Sequence, residues 1–274
     1  MSETPKLALP KELEIYRKQI EGTVKPYIKI SASKRQTTIF QSKFAGNPYL
    51  PKTIDHPKDL NNKPMKLLAQ LNFEELPMLE VKEMPTQGIL QFFISAEDDV
   101  MGMDFDDMTS QNNFKVVFHP YVEKDESLLI TDFSYMTDLD TEYFPIQDES
   151  ALTFSVDYEP VSIEDYKNDK LLGETVNLSL EVSDGENMKE LWEIYSDTFL
   201  GDGHKIGGYP YFTQGDPRDS KKRYTDHDIL LLQIDSDDDN GIMWGDSGIA
   251  NFFIKKEDLL NLNFSNVIYN WDCH

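Results

Sequence analysis

Residues 44–51, FAGNPYLP, are followed by KLLAQLN at 66–72 and GILQFFIS at 88–95; residues 206–213, IGGYPYFT, are followed by ILLLQID at 229–235 and GIANFFIK at 248–255. The order of the three blocks is the same, and so nearly is their spacing. Pro48 to Gln70 spans 22 residues against 23 from Pro210 to Gln233, and Gln70 to Gly88 spans 18 against 15 from Gln233 to Gly248. Each copy reads as a Gly-x-Pro-aromatic turn, a buried strand, a connection, and a second strand that begins on a glycine. LLLQI and NFFI lack polar alternation, so both faces of these strands need cover, and each copy is the natural cover for the other. The expected fold is mainly β (α+β): a pseudo-twofold β roll from an internal duplication. It forms one domain over 1–274, with copies at about 44–119 and 206–270 and an acidic insert at about 97–200.

Around this frame, Leu13, Tyr16, Ile20 and Val24 fall near helical spacing after Pro10, which predicts an amphipathic N-terminal helix over Lys11 to Thr23. A further amphipathic helix is expected from about Glu186 to Leu200, where Met188, Leu191, Trp192, Tyr195 and Phe199 form an apolar stripe and Gly201 follows. That stripe reads as core. The runs FKVVFHP, ALTFSVDYEP and NVIYNW read as strands.

The 274 residues carry a net charge of −24. Its distribution is lopsided: residues 97–200 hold 27 acidic and 5 basic side chains, whereas residues 1–96 are net positive. Such a field repels nucleic-acid phosphates and anionic bilayers and steers a basic partner toward the middle of the chain. The first residues contain no apolar signal-like region and no run approaches the length of a membrane span, so the chain reads as cytosolic. Cys273 stands alone, which excludes an intrachain disulfide.

Catalytic and metal signatures are sparse. DSDDDNGIMWGD at 235–246 places Asp235, Asp237 and Asp239 at positions one, three and five of a calcium loop, with Ile242 at position eight and Asp246 at position twelve. Asn240 stands where such a loop needs glycine, and Asn240-Gly241 is also a hairpin-turn signal, so an acidic hairpin is the competing reading. GDGHKIGG from Gly201 lacks the lysine-serine or lysine-threonine ending of a phosphate loop. The five histidines show no paired metal-binding spacing. Gln70 and Gln233 sit in the middle of apolar strands, where an amide must find partners; they either satisfy backbone at the junction of the copies or bind a ligand. No motif calls for a cofactor.

LLLQID and MWGDSGIANFFI, with GGYPYFTQGDPR upstream and LLAQLNFEELP and GILQFFIS in the first half, resemble the YwqG-like family of bacterial proteins of uncharacterised function. The resemblance implies a mainly β roll with accessory helices and an internal repeat, and it carries no catalytic residues. Its Trp-Gly-Asp block falls on Trp244, Gly245 and Asp246, which makes Trp244 and Asp246 candidate binding residues beside Gln70 and Gln233. The type member lies among genes for a secreted toxin and its antidote. The expected function is therefore a non-catalytic protein-binding module, of immunity or antidote type, for a basic partner. The alternatives are an enzyme with a site near Gln70, Gln233, His204 and Asp216, and a calcium-responsive module.

Overall fold

The computed structural model describes residues 5–77, 84–184, 187–220 and 223–274. Its strands are β1 (Lys25–Lys34), β2 (Lys43–Phe44), β3 (Lys66–Asn72), β4 (Ile89–Ile94), β5 (Phe114–His119), β6 (Ser150–Glu159), β7 (Glu181–Asp184), β8 (Asn187–Glu190), β9 (Lys205–Gly207), β10 (Ile229–Asp235), β11 (Ile249–Ile254) and β12 (Ile268–Asp272). The helices are short: α1 (Arg17–Glu21), α2 (Asn168–Leu172), α3 (Leu191–Thr198), α4 (Pro217–Ser220) and α5 (Lys256–Leu260). β7 and β8 form a separate hairpin, and the other strands form one antiparallel sheet ordered β12-β11-β10-β9-β1-β6-β2-β3-β4-β5.

That order has the same form read from either end. β1 and β6 pair from Lys25–Glu159 to Lys34–Ser150, and a four-strand wing extends from each side of this central ladder. The wings share their register. Gln70 lies opposite Gln91 as Gln233 lies opposite Asn251, and the same irregularity interrupts both pairings, at Leu67/Ala69 and at Leu230/Leu232. Both second strands follow a glycine for one steric reason: a Cβ on Gly88 would lie 2.6 Å from the His119 carbonyl oxygen, and one on Gly248 only 1.9 Å from that of Asp272.

The sheet curls into a large, nearly closed barrel-like form, so its two wings meet across the core. Every residue of β4 and of β11 is buried, as expected for strands without alternation. Phe92 packs on Phe252 at 4.7 Å between ring centroids, and Phe114 on Tyr269 at 5.2 Å. Each such side chain contributes about 1.5–3 kcal/mol by burial. The loop after β4 ties the wings further: Tyr269 donates its hydroxyl to the Met101 carbonyl at 2.9 Å, and Trp271 its indole N–H to that of Val100 at 2.8 Å.

Two sequence expectations need correction. The N-terminal helix is a 3-10 turn (Glu14–Tyr16) running into α1, which together bury only Ile20, with Leu13 buried just ahead. In the second helix, Glu186 lies outside the described residues, Asn187–Glu190 is strand, and the helix begins at Leu191. Leu191, Ile194 and Tyr195 face a small second core with Leu13, Ile20 and Val161, whereas Met188 is 63% exposed and Trp192 45%. The 97–200 tract supplies β5 and the central β6 of the sheet, where FKVVFHP and ALTFSVDYEP read as strands.

Candidate functional site

The matched glutamines are fully buried and fully engaged. Gln70 accepts from the Tyr49 N–H at 2.8 Å and donates to the carbonyls of Ile39 and Gln41, both at 2.9 Å. Gln233 accepts from the Tyr211 N–H at 2.9 Å and donates to the carbonyls of Gly201 at 3.0 Å and Gly203 at 2.8 Å. Each amide thus serves the turn ahead of its own strand. Beside them lie two buried lysines that carried no sequence signal. Lys43, opposite Gln70, donates to the carbonyls of Thr38 and Asn47, and burial lowers its pKa to about 8. Lys205, opposite Gln233, is held between both oxygens of Glu159 at 2.8 and 3.0 Å.

The wings differ where Ser42 and Asn72 of the first correspond to His204 and Asp235 of the second. Asn72 N–H donates to the Ser42 hydroxyl at 2.9 Å, and Asp235 N–H to His204 Nδ1 at 3.0 Å. Because Nδ1 accepts, the proton sits on Nε2, which faces Asp237 Oδ2 at 3.3 Å. Burial lowers the His204 pKa, partly offset by Asp237. Asp235 is pushed up by burial and by Asp202 and Asp237, against the N–H groups of Gly203 and Ser236. These groups border a cleft of about 520 Å³ over Tyr27, Lys29 and Ser31 of β1. The imidazole has both nitrogens committed inside the protein.

The acidic loop is a four-residue hairpin tip: Asp237 and Ile242 exchange N–H···O bonds of 2.8 and 2.9 Å around residues 238–241. Asp238–Asn240 forms a 3-10 turn, and Gly241 alone takes a left-handed conformation, φ 66°. This differs from the two-residue turn implied by Asn240-Gly241. Asp237 caps the turn by accepting from the Asn240 backbone and side chain at 3.2 and 2.7 Å. Those bonds and His204 outweigh burial and hold its carboxyl below the ordinary value. Asp239 is exposed at the tip and Asp235 is directed to Gly203. Among the described residues no group of three or more His, Cys, Asp or Glu is disposed to hold a metal ion. Trp244 is wholly buried against Tyr269 and Trp271, and Asp246 is exposed.

Asp216 belongs to a different neighbourhood. It holds the buried Arg218 through bonds of 2.6 and 2.9 Å, Asp165 lies 3.5 Å from the same guanidinium, and the rings of Phe253 and Tyr166 lie over it at 4.1 and 4.8 Å. Alongside runs a cleft of about 800 Å³ bordered by Glu164, Asp169, Trp192, Gln214 and Asp216. Thus Gln70, Gln233, His204 and Asp216 do not converge on one cleft.

The 97–200 tract contributes a third feature. Glu97, Asp98, Asp99 and Tyr143 line one depression; Leu60, Asp104, Phe105 and Asp106 line a second, and Asn113 belongs to both. Phe105 is 60% exposed, and Tyr121 on the following loop is 84% exposed.

The model of a family described as a domain of unknown function (DUF1963) matches residues 42–273. The chain belongs to this family. The match takes in both wings of the sheet, from β2 to β12; β1 and α1 precede it. No curated protein matches the chain.

Proposed function

We propose that this DUF1963 chain is a non-catalytic binding protein whose partner is a basic protein engaged through the 97–200 tract. The observation that carries the reading is the mixture of carboxylates with exposed aromatic and aliphatic side chains on that tract and its border, at Leu60, Phe105, Tyr121, Tyr135 and Tyr143. Carboxylates supply long-range attraction and orientation, and aromatic groups supply the contact energy of an interface centre. The polar groups considered for catalysis support an enzyme less well, since Gln70, Gln233, His204 and Asp216 each spend their hydrogen-bonding capacity within the protein.

We further read the chain as a YwqG-like member of its family, formed by duplication of a four-strand unit, acting in the cytosol and of immunity or antidote type. The shared register and the paired Gln70 and Gln233 support duplication. The partner reading is tested by copurification at about 0.05 and 0.3 M salt, followed by association kinetics with the recovered protein. Screening shortens from about 14 Å to about 6 Å over that range, so association should slow steeply. Reversing charges within 97–107, which holds six acids, should slow association far more than it speeds dissociation. Partners that are neither basic nor salt-sensitive would refute the reading.

A further inference from the structure

Glu164 lies in the segment between β6 and α2 and is only partly exposed, yet among the described residues no hydrogen bond or ion pair engages its carboxylate. A half-buried, unpartnered carboxylate is unfavourable, and here the two charges that reach it, Asp272 and Asp216, are carboxylates as well. Burial and these neighbours push its pKa up. Among the described residues, two cations of this neighbourhood are engaged elsewhere: Arg218 by Asp216 and Asp165, and Lys167 by Asp228. The same cleft is lined by Trp192, first turn of α3, 45% exposed and outside the core stripe of its helix.

We propose that the cleft between Glu164 and Trp192 is the anchor site for an arginine side chain of the basic partner. Guanidinium is the chemistry that answers both walls, because it forms a planar, two-pronged contact with a carboxylate and stacks on an indole face. The protein contains a worked instance next door: Arg218 sits with its guanidinium against the Asp216 carboxylate and over the rings of Phe253 and Tyr166. The Glu164 cleft likewise has an acid and a ring on its lining, and it opens to solvent. At about 800 Å³ it has room for a whole side chain with its flanking backbone. The inference rests on the basic-partner reading above, and names the residue type by which that partner is held.

The test uses the full chain and a blocked Ala-Arg-Ala tripeptide, with the citrulline tripeptide as its neutral isostere. The indole N–H resonance of Trp192, assigned with Trp192→Phe, reports occupancy; Trp244 is wholly buried and serves as an internal control. The arginine peptide should shift the Trp192 signal saturably, at least tenfold more tightly than the citrulline peptide, and Glu164→Gln should abolish that preference. Glu164→Gln should also raise the thermal midpoint of the free protein, because it removes a charge that folding disfavours. A purely structural glutamate would lose stability on the same change. No response of Trp192 up to tens of millimolar, equal affinity for both peptides, or a lowered midpoint in Glu164→Gln would overturn the proposal. If a recovered basic protein binds Glu164→Gln as tightly as the parent chain, the anchor fails while the partner reading stands. If the arginine peptide binds as expected but no salt-sensitive basic protein is recovered, the partner reading fails and the cleft stands as a guanidinium site.

Discussion

Replacing Gln233 by leucine keeps the side chain's size and apolar stem while removing its polar head from a position of 0% exposure. Three backbone groups then lose their partner together: the Tyr211 N–H and the carbonyls of Gly201 and Gly203. A buried group left without a hydrogen bond costs about 1–3 kcal/mol. Carbonyls retain a second acceptor site, so the sum expected is about 3–6 kcal/mol, a large part of the stability of an ordinary domain. Gln70→Leu should cost at least as much, since Gln70 Oε1 also accepts from Gln91 Nε2 at 2.8 Å. The two glutamines share no partner, so their costs should add in the double variant to within about 0.5 kcal/mol. Urea unfolding followed by tryptophan fluorescence supplies each value. A loss under about 1 kcal/mol for Gln233→Leu would refute the claim that this amide holds the turn before β10, and would reopen it as a ligand-binding group.

Calcium should bind the 235–246 hairpin no more tightly than roughly millimolar, the weak end for such loops, because Asp237 is occupied as the turn's cap and Asp239 points to solvent. Calorimetry checks this, and a micromolar constant abolished by Asp237→Ala would reverse it. The buried lysines make stability depend on alkaline pH. Lys25 and Lys43 are each lowered by burial to about 8, so between that value and the ordinary 10.5 the unfolded chain binds more protons and stability rises with pH. The slope is at most about 1.4 kcal/mol per pH unit for each lysine. Thermal midpoints measured from pH 8 to 9.5 should therefore climb, and the climb should shrink in Lys43→Met. Glu164 has the opposite slope at acidic pH: its raised pKa means the folded state holds the proton longer, so its contribution to stability diminishes as pH rises through the region above the ordinary carboxylate value. The Glu164→Gln variant should lose that component in a pH titration of the midpoint.

The strands of both wings were legible because two-sided burial writes long apolar runs, and because each run appears twice with one amide in its middle. What joins the wings was not legible. β6 alternates weakly and lies between the two similar sequence blocks, so nothing local distinguishes a central strand from an element of an insert. Helical spacing over 186–200 runs past the helix itself for a related reason. Met188 and Trp192 fall at helical spacing from one another, but pairing of β8 with β7 takes Met188 into a hairpin and leaves both side chains exposed. Lys43 and Lys205 carry no signal in the sequence because a lysine beside a turn normally means surface. Only the sheet register reveals that each lies opposite a buried glutamine. Glu164 and Trp192 belong to no motif, and their neighbourhood exists only after β6, α3 and the segment after β9 have packed.

The two wings serve as controls for one another, and this orders the candidate sites. Features present in both wings, such as the glutamine under the turn, the lysine opposite it and the glycine before the second strand, are explained by what the shared backbone arrangement needs. They require no ligand. The exchange of Ser42 and Asn72 for His204 and Asp235 preserves the same N–H donation to the preceding side chain, so most of that difference is also absorbed by the scaffold. Glu164 lies outside the common wing, and its carboxylate makes no hydrogen bond or ion pair among the described residues. A half-buried carboxylate beside other carboxylates, engaged by none of the described residues, is the group for which an external cation is the most economical explanation. That is why a rise in stability on Glu164→Gln, paired with a loss of arginine recognition, carries more weight than either result alone.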